Sequence, residues 1–204
     1  MEQQSLEVPS SILPILKTGE LDWKSVYQME ISKPALIALA RNESEYCMGD
    51  GRAFRSVKIG FNFVQSLLNE SEQDPSTCPV KTMGDVVELV TVFRENNPKP
   101  ETVKHVLDQG NEVDQVGPII VASRELGISI DNFCKLVQLY GGDVDYASYQ
   151  VETMVETIVD ALPSGINKHN VRHAVVNKLI ANLRSGLIFD DGQAIKFEDE
   201  EASN

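Results

Sequence analysis

Apolar residues recur at intervals of three and four along most of this chain, and that periodicity confines it to a mainly helical fold. Phe54, Val57, Phe61, Val64 and Leu68 share one helix face, Phe133, Leu136, Val137 and Tyr140 another, and Val151, Met154, Val155, Ile158 and Leu162 a third. Punctuation falls between them: Gly49-Asp50-Gly51, the polar loop 69–80 with its two prolines, Asn96-Asn97-Pro98-Lys99-Pro100, Gly110, Gly127-Ile128-Ser129 and Gly141-Gly142. Ser32 ahead of Lys33-Pro34 starts a helix that is expected to fray near Arg41, because a side-chain acceptor there precedes a proline that needs no donor in a first turn. Met83, Val86, Val87, Val90 and Phe93 trace a helix face, although so many valines also suit a buried strand. Val113 to Leu126 reads as one helix or as two, the second starting at Pro118, and residues 12–16 and 21–29 read as a loosely helical arm.

With 204 residues, a core can form without disulfides or metals, in one domain or two. The formal charge of −13 excludes a protein that coats nucleic acid non-specifically, since that binding depends on many neutralised phosphates. No apolar run approaches bilayer length, so no membrane span is expected. The first residues carry no basic segment ahead of their short apolar run, and Cys47, Cys78 and Cys134 form no C-x-x-C pair. A cytoplasmic protein with unpaired, buried thiols is the expectation.

Acidity is spread through the chain, with eleven Lys/Arg against sixteen Asp/Glu up to Gly110 and seven against fifteen beyond it. Against that background the stretch between Asp160 and Asp190 holds no acidic residue, yet carries Lys168, Arg172, Lys178 and Arg184 with His169 and His173. Such a local reversal of charge marks a contact surface.

Within it, Ala161, Gly165, Ile166, Val171 and Ala174 have the spacing of a helix-turn-helix, which the stretch resembles: a small residue four before a turn glycine, an apolar residue directly after it, and apolar residues six and nine beyond it. Asn167 suits the N-cap of the second helix. Asp160, Pro163 and Ser164 depart from the usual pattern. The apolar strands on either side of Asp191-Gly192 form a hairpin signal, and a helix-turn-helix followed by a hairpin resembles a winged helix. The resulting expectation is a helical region over 1–110 for association or partner binding, a winged-helix-like domain over 111–197 with a short β-hairpin, and an acidic tail over 198–204. In such a domain the second helix enters the major groove of duplex DNA, and Asn167, Lys168, His169, Arg172, His173, Asn177 and Lys178 are the candidate contacts, with Asn170 on the face of His173 and Asn177. The expected role is sequence-specific binding in regulation or DNA maintenance, shared between the subunits of a homodimer.

Other readings stand beside it. The acidic hairpin tip, Asp190-Asp191, opposes phosphate contact, and a winged-helix-like surface can instead dock on a protein, making the chain an acidic helical adaptor. His169 and His173 at i and i+4 have no Cys, Asp or Glu nearby to complete a metal site. Arg52, Arg55 and Lys58 form a basic stripe that reads as a solvated face. No nucleophile, base and orienting acid stand together and no nucleotide-binding glycine loop is present, so neither an enzyme nor a cofactor is expected.

Overall fold

The structure, a computed structural model, describes residues 27–72, 74–163, 165–184, 187–190 and 193–196. Over these residues the protein is mainly helical. The helices are α1 (Lys33–Tyr46), α2 (Gly51–Glu70), α3 (Met83–Asn96), α4 (Pro100–Asp108), α5 (Val113–Leu126), α6 (Ile130–Leu139), α7 (Val144–Asp160) and α8 (Lys168–Arg184). The arm expected over residues 12–16 and 21–29 lies outside the described residues up to residue 26, as do Ser164, the Asp191-Gly192 turn and the acidic tail.

Most boundaries follow from local chemistry. Side-chain oxygens of Ser32, Asp50, Thr82, Ser129 and Asp143 accept backbone N–H groups in the first turns of α1, α2, α3, α6 and α7. The Met83–Phe93 stretch is helix, not strand, because Thr82 and Asp85 form a reciprocal capping box at its start and Asn97, at φ 45°, closes its end. After α5, Gly127 at φ 67° lets the Ile128 N–H donate to the Ser123 carbonyl, and after α6, Gly141 at φ 70° lets Gly142 donate to Val137. Pro118 does not split α5: its ring faces solvent, where water can serve the carbonyl that loses its intrahelical donor.

One boundary differs from expectation. Helix α1 continues past Arg41 to Tyr46 because the turns beyond Arg41 carry Cys47 into a buried position, with Glu43 buried on the same side. The chain divides into two compact units, 1–117 and 118–204, with the division inside α5.

In the first unit α2 packs along α3. Gly60 permits the approach: a Cβ there would stand 3.1 Å from Val90 Cα and 3.2 Å from Phe93 Cδ2. Val57, Val64, Val86 and Phe93 close around that crossing, and the Phe63 and Phe93 rings meet at 5.4 Å.

In the second unit α7 and α8 pack together and both touch α6. The core is Phe133, Leu136 and Val137 of α6, Val151 and Val155 of α7, and Val171, Val175, Val176, Leu179 and Ile180 of α8. Each large apolar side chain buried there contributes roughly 1.5–3 kcal/mol. Cys134 belongs to this core at 0% exposure, and all three cysteines are buried, none of them in a disulfide.

Candidate interaction surface

The charge-reversed stretch forms the corner where α7 ends, the chain turns, and α8 begins. Gly165 takes φ 111°, which a glycine tolerates, and Asn167 caps α8 by accepting the His169 N–H at 2.9 Å. Because Val171, Val175, Val176, Leu179 and Ile180 turn inward, the opposite face of α8 presents Asn170, His173, Asn177 and Lys178 to solvent. Asn167, Lys168 and His169 are exposed at its start.

These exposed residues are not all unconstrained. The Asn177 amide and His173 Nδ1 share a hydrogen bond of 2.9 Å. The His169 ring backs onto the turn after α5, where a Cβ on Gly127 would come within 2.9 Å of His169 Cε1. Arg172 differs from the rest. Its guanidinium pairs with Glu152 of α7, and its buried Nε has no hydrogen-bond partner among the described residues. The residue with the most suitable chemistry for phosphate or guanine therefore spends its charge inside its own unit.

Nor does the burial pattern follow the helix-turn-helix register. Val171 is buried and Gly165 has its positive φ, but Ala161 and Ala174 are exposed and Ile166 is 43% exposed. In that register Ala161 should lie at a close crossing of the two helices and Ile166 and Ala174 should help seal them, and here all three face solvent. The physical reason is where the apolar stripes lie. The buried stripe of α7 runs Val144, Ala147, Val151, Val155 and then loses its cover, leaving Ile158 40% and Leu162 39% exposed, although their spacing alone places them on the buried side. Helix α8 packs through Val171, Val175 and Leu179, which turns Ala174 outward.

The chain matches no protein-family model, no curated protein and no solved structure.

Elsewhere, an open cleft of about 720 Å³ in the first unit is lined by Tyr27, Lys81, Asp85, Glu88 and Asp114 among others. Two of its carboxylates already serve the fold: Asp85 accepts the Lys81 and Thr82 N–H groups, and Glu88 accepts the Tyr27 hydroxyl. Arg52, Arg55 and Lys58 are exposed on α2, where the Arg55 Nε donates to the Gly51 carbonyl. Among the described residues no group of three or more His, Cys, Asp or Glu is placed to hold a metal ion, and no helix is long and apolar enough to cross a membrane.

Reading the sequence alone identified the polar face of α8 but missed Glu152, whose carboxylate lies twenty residues away in another helix, and the exposure of Ile158, Leu162 and Ile166. The absence of acidic residues between Asp160 and Asp190 pointed to the corner without showing that it is partly apolar.

Proposed function

We propose that residues 118–204 are a protein-docking module and that the chain works as an acidic helical adaptor. The observation that carries this reading is the corner itself: Ile158, Leu162 and Ile166 stand 40%, 39% and 43% exposed in one short stretch, next to cationic Lys168. An apolar patch with a polar rim is the composition of a surface that associates with protein. The pairing of Arg172 with Glu152 supports the same reading, because it withdraws the guanidinium from any outside anion. Three buried cysteines without a disulfide suit a reducing compartment such as the cytoplasm.

The test is a cross-linked pull-down with full-length chain and a Leu162→Asp, Ile166→Asp variant, each with and without nuclease. A protein captured stoichiometrically by the first, lost by the second and indifferent to nuclease supports docking. Capture that nuclease abolishes refutes it.

A second reading, duplex DNA bound by α8 in a winged-helix-like arrangement, draws support from the Asn170, His173 and Asn177 face and from the lack of any carboxylate on that helix. The segments Leu187–Asp190 and Gln193–Lys196, paired antiparallel with Leu187 opposite Lys196, follow α8 in the order a wing would. Under this reading the Lys168→Ala, Lys178→Ala variant loses duplex affinity and shows a shallower salt dependence. Wild-type protein that retains no duplex at low ionic strength rules it out.

A further inference from the structure

The occupant of the α7–α8 corner follows from its charges. Going along the chain, Glu156 and Asp160 stand exposed before the apolar centre at Leu162, and Lys168 stands exposed after it. Among the described residues none of these three enters an ion pair. The helix ends carry the same imbalance. The last turn of α7 has no basic residue to meet its carbonyl-rich end, and the first turn of α8 has no acidic residue to meet its N–H-rich end. Each half of the corner thus lacks what the other half has.

Resting on the docking reading above, we infer that the corner is filled by the same corner of a second copy of this chain. A two-fold axis through the apolar centre sets Leu162 and Ile166 against their own counterparts. It also brings Glu156 and Asp160 of one copy to Lys168 and the α8 N-terminus of the other, twice over. This explains why a chain of net charge −13 holds one stretch without carboxylates. The surface that a cationic patch must meet is acidic, and the corner carries its own carboxylates, unpaired among the described residues, in Glu156 and Asp160. Two copies otherwise repel, so association depends on this local pairing.

Charge exchange tests it. Sedimentation equilibrium is run on full-length wild type, Asp160→Lys, Lys168→Asp, an equimolar mixture of those two variants, and Leu162→Asp. Wild type is expected to dimerise. Each charge variant alone puts like charges together at both contacts, weakening the dimer roughly tenfold or more. The mixture recovers heterodimers, since the lysines of one variant then face the aspartates of the other at both contacts, and that recovery also shows the variants are folded. Leu162→Asp is expected to be monomeric alone and in every mixture. A monomeric wild type, or a mixture no tighter than its components, overturns the second-copy inference. If wild type is monomeric and Leu162→Asp still abolishes stoichiometric capture of a different protein, the docking reading stands and only the identity of the occupant falls.

Discussion

Glu43 offers the sharpest test of the energetics of the first unit. It lies on α1 with its side chain 7% exposed, and Oε2 is buried without a hydrogen-bond donor. Its charge partner, Arg94 of α3, stands 3.6 Å away and is 33% exposed. At that separation and an effective dielectric of about 20, the gross attraction is about 5 kcal/mol, less after screening on the solvent side of Arg94. Against it stand a desolvation cost of several kcal/mol for the carboxylate and about 1–3 kcal/mol for the unsatisfied oxygen. Burial pushes the pKa of the Glu43 carboxyl above its ordinary value, disfavouring the charged form, and Arg94 only partly offsets this. The pair is therefore a net cost.

Glu43→Met should accordingly stabilise the first unit by about 1 kcal/mol near neutral pH. Arg94→Met, which strands the carboxylate, should destabilise it by about 2 kcal/mol, less than for a fully buried pair. The pH dependence has a definite sign. Native Glu43 holds its proton to higher pH than unfolded Glu43, so wild-type stability falls as pH rises through the interval between the unfolded value and the raised native one. The advantage of Glu43→Met should shrink on acidification and vanish below that interval. Urea melts followed by circular dichroism at several pH values, with hydrogen exchange of peptides from α1 to α3 to assign the transition, provide the measurement. Glu43→Met that destabilises at every pH by more than about 1 kcal/mol would mean that Arg94 outweighs desolvation, and the reasoning fails.

Other substitutions probe other contacts. Gly60→Val should cost about 2–3 kcal/mol in a urea melt, because its side chain must enter the space taken by Val90 and Phe93 where α2 crosses α3. Gly127→Ala should cost about 1–2 kcal/mol and loosen the start of α8 in hydrogen exchange, since it combines a φ of 67° with a methyl group 2.9 Å from His169. Glu152→Gln releases Arg172; under the DNA reading, duplex retention at low salt should rise several-fold, and under the docking reading it should stay at background.

Helical class and most of the punctuation are legible from neighbouring residues alone. Periodicity needs only nearest neighbours on a helix face, and caps such as Ser32, Thr82, Ser129 and Asn167 act on backbone within three residues, so both are written locally. The same local signals were ambiguous for the valine-rich α3, which the capping box resolves, and for α1, which runs on past Arg41 to the buried Cys47. Which helix faces find cover depends instead on how the helices pack. Ile158 and Leu162 continue the buried stripe of α7 yet stay exposed, because burial depends on how far neighbouring helices extend, not on spacing within one helix. The candidate site divides in the same way. The polar face of α8 could be read from its spacing, but the fate of Arg172 depends on Glu152, a carboxylate on a different helix that packing alone brings within reach. Charge can be counted along a chain, whereas its availability to a partner is settled in three dimensions.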